Sequence, residues 1–219
     1  MLQTFKLNIK DIQTKITEIG NSLVSANSLI LKALKDCDQQ KFCDARNKIK
    51  NINAKTDEID NAIIKVLALY TPEAKDLRQV VAYLKITNEF SRACSNTRSF
   101  IRGFIDVCNE VDVKTITEYT LPMQKATLRS LKTTVSMINT EDDDEITELY
   151  EEALIEENKV DDLYEMIERD LVTEANDNND FEKYHKMLRA LRKSEKITGR
   201  STSIANLLVY VTKGGDFHK

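Results

Sequence analysis

Few of the 219 residues are of a type and spacing that could do chemistry. The two histidines, His185 and His218, sit apart from each other and from any H-E-x-x-H or Cys/His pattern. Neither is therefore set up as a metal ligand or a proton shuttle. The four cysteines, Cys37, Cys43, Cys94 and Cys108, form no C-x-x-C. The start MLQTFKLNIK lacks an apolar leader, so these cysteines read as reduced thiols of a cytosolic protein, serving as small core or surface residues. No G-x-x-x-x-G-K-S/T, G-x-G-x-x-G or G-x-S-x-G occurs, which leaves nucleotide binding and nucleophilic hydrolysis without support. The chain reads as a non-enzyme.

Charge is the remaining chemical resource. From Glu141 to Asp170 acids greatly outnumber the two bases, Lys159 and Arg169. Between Lys183 and Arg200 the bases Lys183, Lys186, Arg189, Arg192, Lys193, Lys196 and Arg200 face a single acid, Glu195. Two readings stand: opposite charges paired between neighbouring helices, or an acidic docking face for a basic partner. The formal net charge of −4 argues against nucleic acid as that partner, because phosphate backbones select a basic surplus.

The elements that must carry these residues are helices. Hydrophobic residues make up 41% and charged residues 31%, a globular balance. Five glycines and two prolines supply too little turn chemistry for an all-β chain. Apolar residues recur at helical spacing through Ile9, Ile12, Ile16, Ile19, Leu23, Leu29 or Ile30, and Leu34. After a polar turn at Asp36 to Gln39, a second run passes Ile49, Ile52, Ile59, Ile63, Val66 and Leu69. Thr71-Pro72 reads as the start of a third helix through Leu77, Val81, Leu84, Phe90, Phe100 and Ile105. A connection over 109–120 leads to a fourth helix with Leu121, Leu128, Leu131, Val135 and Ile138 as its stripe, where Pro122 either starts or kinks it. Thr140 to Asp143 offers a cap with acids in the first turn. A fifth helix carries Ile146, Leu149, Ala153, Val160, Leu163, Ile167 and Leu171. A loop is expected at Asn176 to Asn179, and a sixth helix over about Asp180–Thr212, stopped by Lys213-Gly214-Gly215. No apolar run is long enough to span a bilayer.

The halves echo each other. Thr56-Asp57-Glu58-Ile59-Asp60 and Glu157-Asn158-Lys159-Val160-Asp161 each place an acid directly after a β-branched core residue, at the same point of their half. Two three-helix repeats, 1–108 and 109–219, are the economical reading, with six long helices running antiparallel through short connections. At this point the residues resemble a known family. Thr56 to Asp60, then Leu69-Tyr70-Thr71-Pro72-Glu73-Ala74-Lys75-Asp76-Leu77-Arg78 and Leu84-Lys85-Ile86, look like the first repeat of PhoU proteins, the regulators of bacterial phosphate uptake. Val160-Asp161-Asp162-Leu163-Tyr164 and Ile204 to Val211 look like the second repeat.

The resemblance implies an all-α pair of three-helix bundles, a homodimer, and a cytoplasmic adaptor. Its partners would be the ATPase subunit of a phosphate ABC transporter and a sensor histidine kinase, with membranes reached only through those partners. It also implies a divalent metal or iron, held by acids four apart on a helix: residues i and i+4 share a face, and an acid from a neighbouring helix completes an oxygen-rich site. This chain departs from that pattern. The family's Glu-Arg-x-x-Asp falls on Ser91-Arg92-Ala93-Cys94-Ser95 in the first half, and the preceding acid pair on Thr56 and Asp60. In the second half Glu157 and Asp161 keep the spacing, while the Glu-Arg-x-x-Asp falls on Glu195 to Gly199 and keeps only Glu195. An incomplete metal site of Glu157, Asp161 and Glu195 is the sharper expectation; solvated acids paired with bases of the sixth helix are the alternative. Asp76 and Arg78 are a candidate docking edge, although an acid in the first turn after Pro72 also suits the helix dipole.

Overall fold

The computed structural model describes residues 2–174 and 178–214. His218, Gly215 and the Asn176-Asp177 part of the expected loop lie outside them. The structure is all-α, with no strand among the described residues. α1 (Leu2–Asp36) buries Ile9, Ile12, Ile16, Ile19, Leu23, Ile30 and Leu34, so Ile30 and not Leu29 holds the inward position. Asp38 then caps α2 (Gln39–Lys48), its carboxylate accepting from the Lys41 amide at 3.0 Å. The second rod is broken: α2 stops at Lys48 and α3 (Ile52–Leu69) begins after a turn. That turn buries Ile49 and lets Arg98 donate to the Ile49 carbonyl at 3.1 Å.

α4 (Ala74–Ile105) starts after Glu73, two residues later than Thr71-Pro72 suggests. Its first half is also rotated from the expected stripe. Val80, Tyr83 and Ile86 are buried while Leu77 and Leu84 are exposed. The sequence offers apolar residues on two faces there, and packing against the other helices selects one of them. One turn, α5 (Val113–Thr115), capped by Asp112, passes through a π-turn at Ile116–Thr120 straight into α6 (Leu121–Asn139). Pro122 is thus a residue at the start of α6, following a wide turn. A proline lacks the N–H for a bond four residues back and crowds that carbonyl, which the π-turn relieves. Asp142, and not Thr140, caps α7 (Asp143–Glu174), accepting from the amides of Asp144 and Glu145. α8 (Asn178–Lys213) ends at Gly214, whose φ of +70° suits glycine and whose amide closes on the Tyr210 carbonyl.

The six rods form two mutually packed triplets: α1, α3 and α4, then α6, α7 and α8. They meet where α4 lies along α8 and α1 along α6, and a single apolar core runs through both. That seam is not wholly apolar. Asn27, Thr97, Gln124 and Ser194, one each from α1, α4, α6 and α8, are buried and hydrogen-bonded to one another.

Cys37 and Cys108 correct the expectation of four reduced thiols. They form a disulfide between the end of α1 and the segment after α4, with Cα atoms 5.6 Å apart. The fold brings these positions together across 71 residues, which spacing along the chain could not reveal. Cys43 and Cys94 are free.

Candidate functional site

Helical register places Glu157 and Asp161 on adjacent turns of one side of α7, facing α8. Glu195 on α8 meets them electrostatically. Burial is the first cause raising the Glu157 carboxyl above its ordinary value; the neighbouring Asp161 and Glu195 charges push the same way, against a hydrogen bond from Thr202. Burial likewise raises Asp161 and Glu195, and in both cases the Arg192 guanidinium opposes it. Three carboxylates crowded at a helix seam thus resist ionisation together.

Arg192 organises this cluster. Its Nη1 lies 2.7 Å from Glu195 Oε2, one helical turn away, and its guanidinium sits over the Tyr164 ring at 5.1 Å from the centroid. The ion pair is close but not aligned as a hydrogen bond, since Glu195 Oε2 is enclosed without such a partner. Position 199 is glycine, and a Cβ there would stand 3.5 Å from Glu157 Oε1. A longer acid at that point would therefore reach the cluster, and its absence leaves the donor set short. Among the described residues, no three His, Cys, Asp or Glu side chains are arranged to hold a metal ion. The donors present do not fit a resident metal: the positive charge beside Asp161 and Glu195 comes from Arg192.

The corresponding face of the first half has still less to offer. Thr56 is buried and spends its hydroxyl on the Asn53 carbonyl at 2.7 Å. Asp60 is raised by burial and then by Asp57, and its Oδ1 is enclosed without a hydrogen bond. Ser91 is half-buried and Ser95 exposed. Cys94 between them is fully buried, which pushes its thiol up to about 12 and removes it as a nucleophile.

Asp76 lies in the first turn of α4, where its amide donates to the Glu73 carbonyl. Arg78 is half-buried against the opposite end of the chain: a Cβ on Gly214 would stand 3.8 Å from its Cζ. The guanidinium thus adjoins the C-terminus of α8, where a cation is favoured by the helix dipole. Of the two candidate docking residues, Arg78 borders the junction of α4 with α8. His185 stacks on Phe181 with centroids 6.1 Å apart, as a surface ring pair.

Two polar features at the seams escaped sequence reasoning. Arg192 could have been found from its three-residue spacing to Glu195. Glu156 lies three residues after Ala153 and four before Val160, on the buried stripe of α7, so its inward position was readable from helical spacing; its partner, Arg129 of α6 at 3.5 Å, was not. The α8 bases Lys186, Arg192 and Arg200 pair with Glu182, Glu195 and Glu89 respectively. None of those acids is on α7; across the α7–α8 seam Arg192 also acts through its charge on Asp161.

Twin helical triplets sharing one core, with carboxylates at the seam of the second, define a helical-bundle protein. The PhoU domain family matches the chain twice, over residues 16–100 and 120–208, and the chain belongs to that family. It is 24% identical over 214 residues to the phosphate-specific transport system accessory protein PhoU of Escherichia coli K12, covering 97% of this chain and 87% of that protein. The PhoU homolog of Pseudomonas aeruginosa is 23% identical over 219 residues, at 98% and 87% coverage. The crystal structure of PhoU from Pseudomonas aeruginosa superposes with a TM-score of 0.85 at 21% identity, covering 96% of this chain and all 100% of that one. The phosphate transport system regulatory protein PhoU from Streptococcus pneumoniae gives 0.82 at 17% identity, with 96% and 98% coverage.

Proposed function

We propose that this protein is a regulatory accessory factor of a phosphate transport system, acting by docking and not by catalysis. In this reading it is a cytoplasmic homodimer that links the ATPase subunit of a phosphate ABC transporter to a sensor histidine kinase and represses the phosphate-starvation response. The observation that carries the proposal is the double match to the PhoU family, together with relatives named as phosphate transport accessory proteins over nearly the whole chain. Among the described residues no helix is long and apolar enough to cross a membrane, which agrees with contact to membranes through partners. The repeats 1–108 and 109–219 would act as two arms, with Asp76 and Arg78 at one docking edge. Deleting the gene should change phosphate uptake and phosphate-responsive transcription, with restoration by the intact gene. Normal uptake and normal transcription at low and high phosphate would reject the reading.

A second reading is a divergent member that serves another transporter or signalling partner. It is favoured by Arg192 standing among the carboxylates and by Ser91, Ser95 and Gly199 at the positions where the family resemblance implies acids. A deletion phenotype confined to another solute would select it.

A further inference from the structure

We propose that the outward face of α7 is a docking surface for a basic amphipathic helix of a partner protein. The inference rests on the adaptor reading above and adds where, and to what chemistry, this chain binds. α7 turns its buried residues, Ile146, Ala153, Val160, Ile167 and Leu171, toward α6 and α8. On the opposite side Ile155, Asn158, Lys159, Asp162 and Met166 line a shallow groove along the helix, with Leu163, which also packs against the core, at its edge. Ile155 is 64% exposed there, which a solvated helix face does not require. A ridge of another helix fits such a groove, with apolar anchors one or two turns apart.

The charge around the groove decides the occupant. Glu148, Glu151 and Glu152 are all exposed and lie one to two turns before Ile155 on the same side. The dipole at the helix start accounts for Asp143, Asp144 and Glu145 but fades beyond the first turn. No ion pair among the described residues uses Glu148, Glu151 or Glu152. These three carboxylates repel one another until a cationic partner arrives. An anionic lipid surface or a nucleic acid would be repelled by them. A helix presenting Leu-like anchors on one side and Lys or Arg flanking them answers both the groove and the charge.

The test uses the full-length protein and a synthetic Leu/Lys peptide of about five helical turns as the probe. A scrambled peptide of the same composition, without helical periodicity, is the control. The expected result is saturable binding at one peptide per chain, weakened by salt and at least about tenfold tighter than for the scrambled peptide. Ile155→Glu and the triple variant Glu148→Gln, Glu151→Gln, Glu152→Gln should each raise the Kd about tenfold. All four positions are exposed, so both variants should keep the wild-type circular dichroism spectrum and melting temperature. Equal binding of the scrambled peptide, unchanged affinity of the variants, or no binding would overturn the proposal. So would self-association of the wild type that Ile155→Glu abolishes, which would make a second copy the occupant. A deletion strain with normal phosphate responses would defeat the adaptor reading while leaving a positive binding result intact, so the two failures are distinct.

Discussion

Gln124 on α6 donates its side-chain amide to Asn27 Oδ1 on α1 at 2.9 Å, and both side chains are buried. The same Gln124 accepts from Ser194 of α8 at 3.0 Å, and Asn27 donates to the Leu23 carbonyl. One amide pair thereby ties the first triplet to two helices of the second. Apolar packing alone tolerates sliding between helices, whereas a buried amide is satisfied in few registers.

Removing one member of this pair should be costly and removing both should not. Gln124→Ala leaves Asn27 Oδ1 and the Ser194 hydroxyl without partners and should destabilise the fold by about 2–4 kcal/mol, counting the lost volume. Asn27→Leu with Gln124→Met removes both partners and should recover much of that. A double-mutant cycle by chemical denaturation reads the coupling, and additive single effects would refute it.

Gly20 is required by close approach of α1 to its neighbours. A Cβ there would stand 2.6 Å from Val135 Cγ2 and 3.1 Å from Phe90 Cζ. Gly20→Ala should therefore lower stability by about 1–3 kcal/mol despite the better helix propensity of alanine. Val135→Ala added to it should restore part of the loss, which thermal melting of the two variants would show.

The Cys37–Cys108 disulfide closes a loop across a separation of 71 residues. Loop-closure entropy for that length corresponds to about 4 kcal/mol of stabilisation. Cys37→Ser, or reduction of the wild type, should lower the melting temperature. Cys43→Ser should not, since Cys43 is free and exposed.

The carboxylate cluster should make stability depend on pH in a defined direction. Glu157, Asp161 and Glu195 are raised in the folded state, so folding takes up protons in the window between the ordinary carboxylate value and the raised one. Stability then falls as pH rises through that window and is lowest above it. Glu157→Gln should raise the melting temperature at neutral pH, and the gain should vanish below about pH 4, where glutamate is itself protonated. Arg192→Met should do the opposite at neutral pH, because Asp161 and Glu195 lose their counter-charge. A Glu157→Gln gain that did not vary with pH would contradict this account.

The same cluster predicts how the protein responds to metal. With Arg192 beside Asp161 and Glu195, added manganese or zinc should leave the melting temperature unchanged. Protein purified without chelator should carry less than one ion per chain by elemental analysis. Stoichiometric iron, manganese or zinc would reverse the assignment of the positive charge to Arg192.

The helices themselves were legible because their causes are local. The 3.6-residue recurrence of Ile12, Ile16, Ile19 and Leu23, and the scarcity of glycine and proline, dictate long amphipathic rods whatever surrounds them. The echo between Asp60 and Asp161 marked the repeat, and the four-residue spacing of Glu157 and Asp161 placed them on one face. Tertiary structure decided what depends on residues distant in sequence. It chose Val80 and Tyr83 over Leu77 and Leu84 as the inward face of α4, since both faces are apolar and only packing breaks the tie. It joined Cys37 to Cys108, paired Asn27 with Gln124, and set Arg129 against the buried Glu156. Each of those is a meeting of residues far apart in sequence, which periodicity within one helix does not encode.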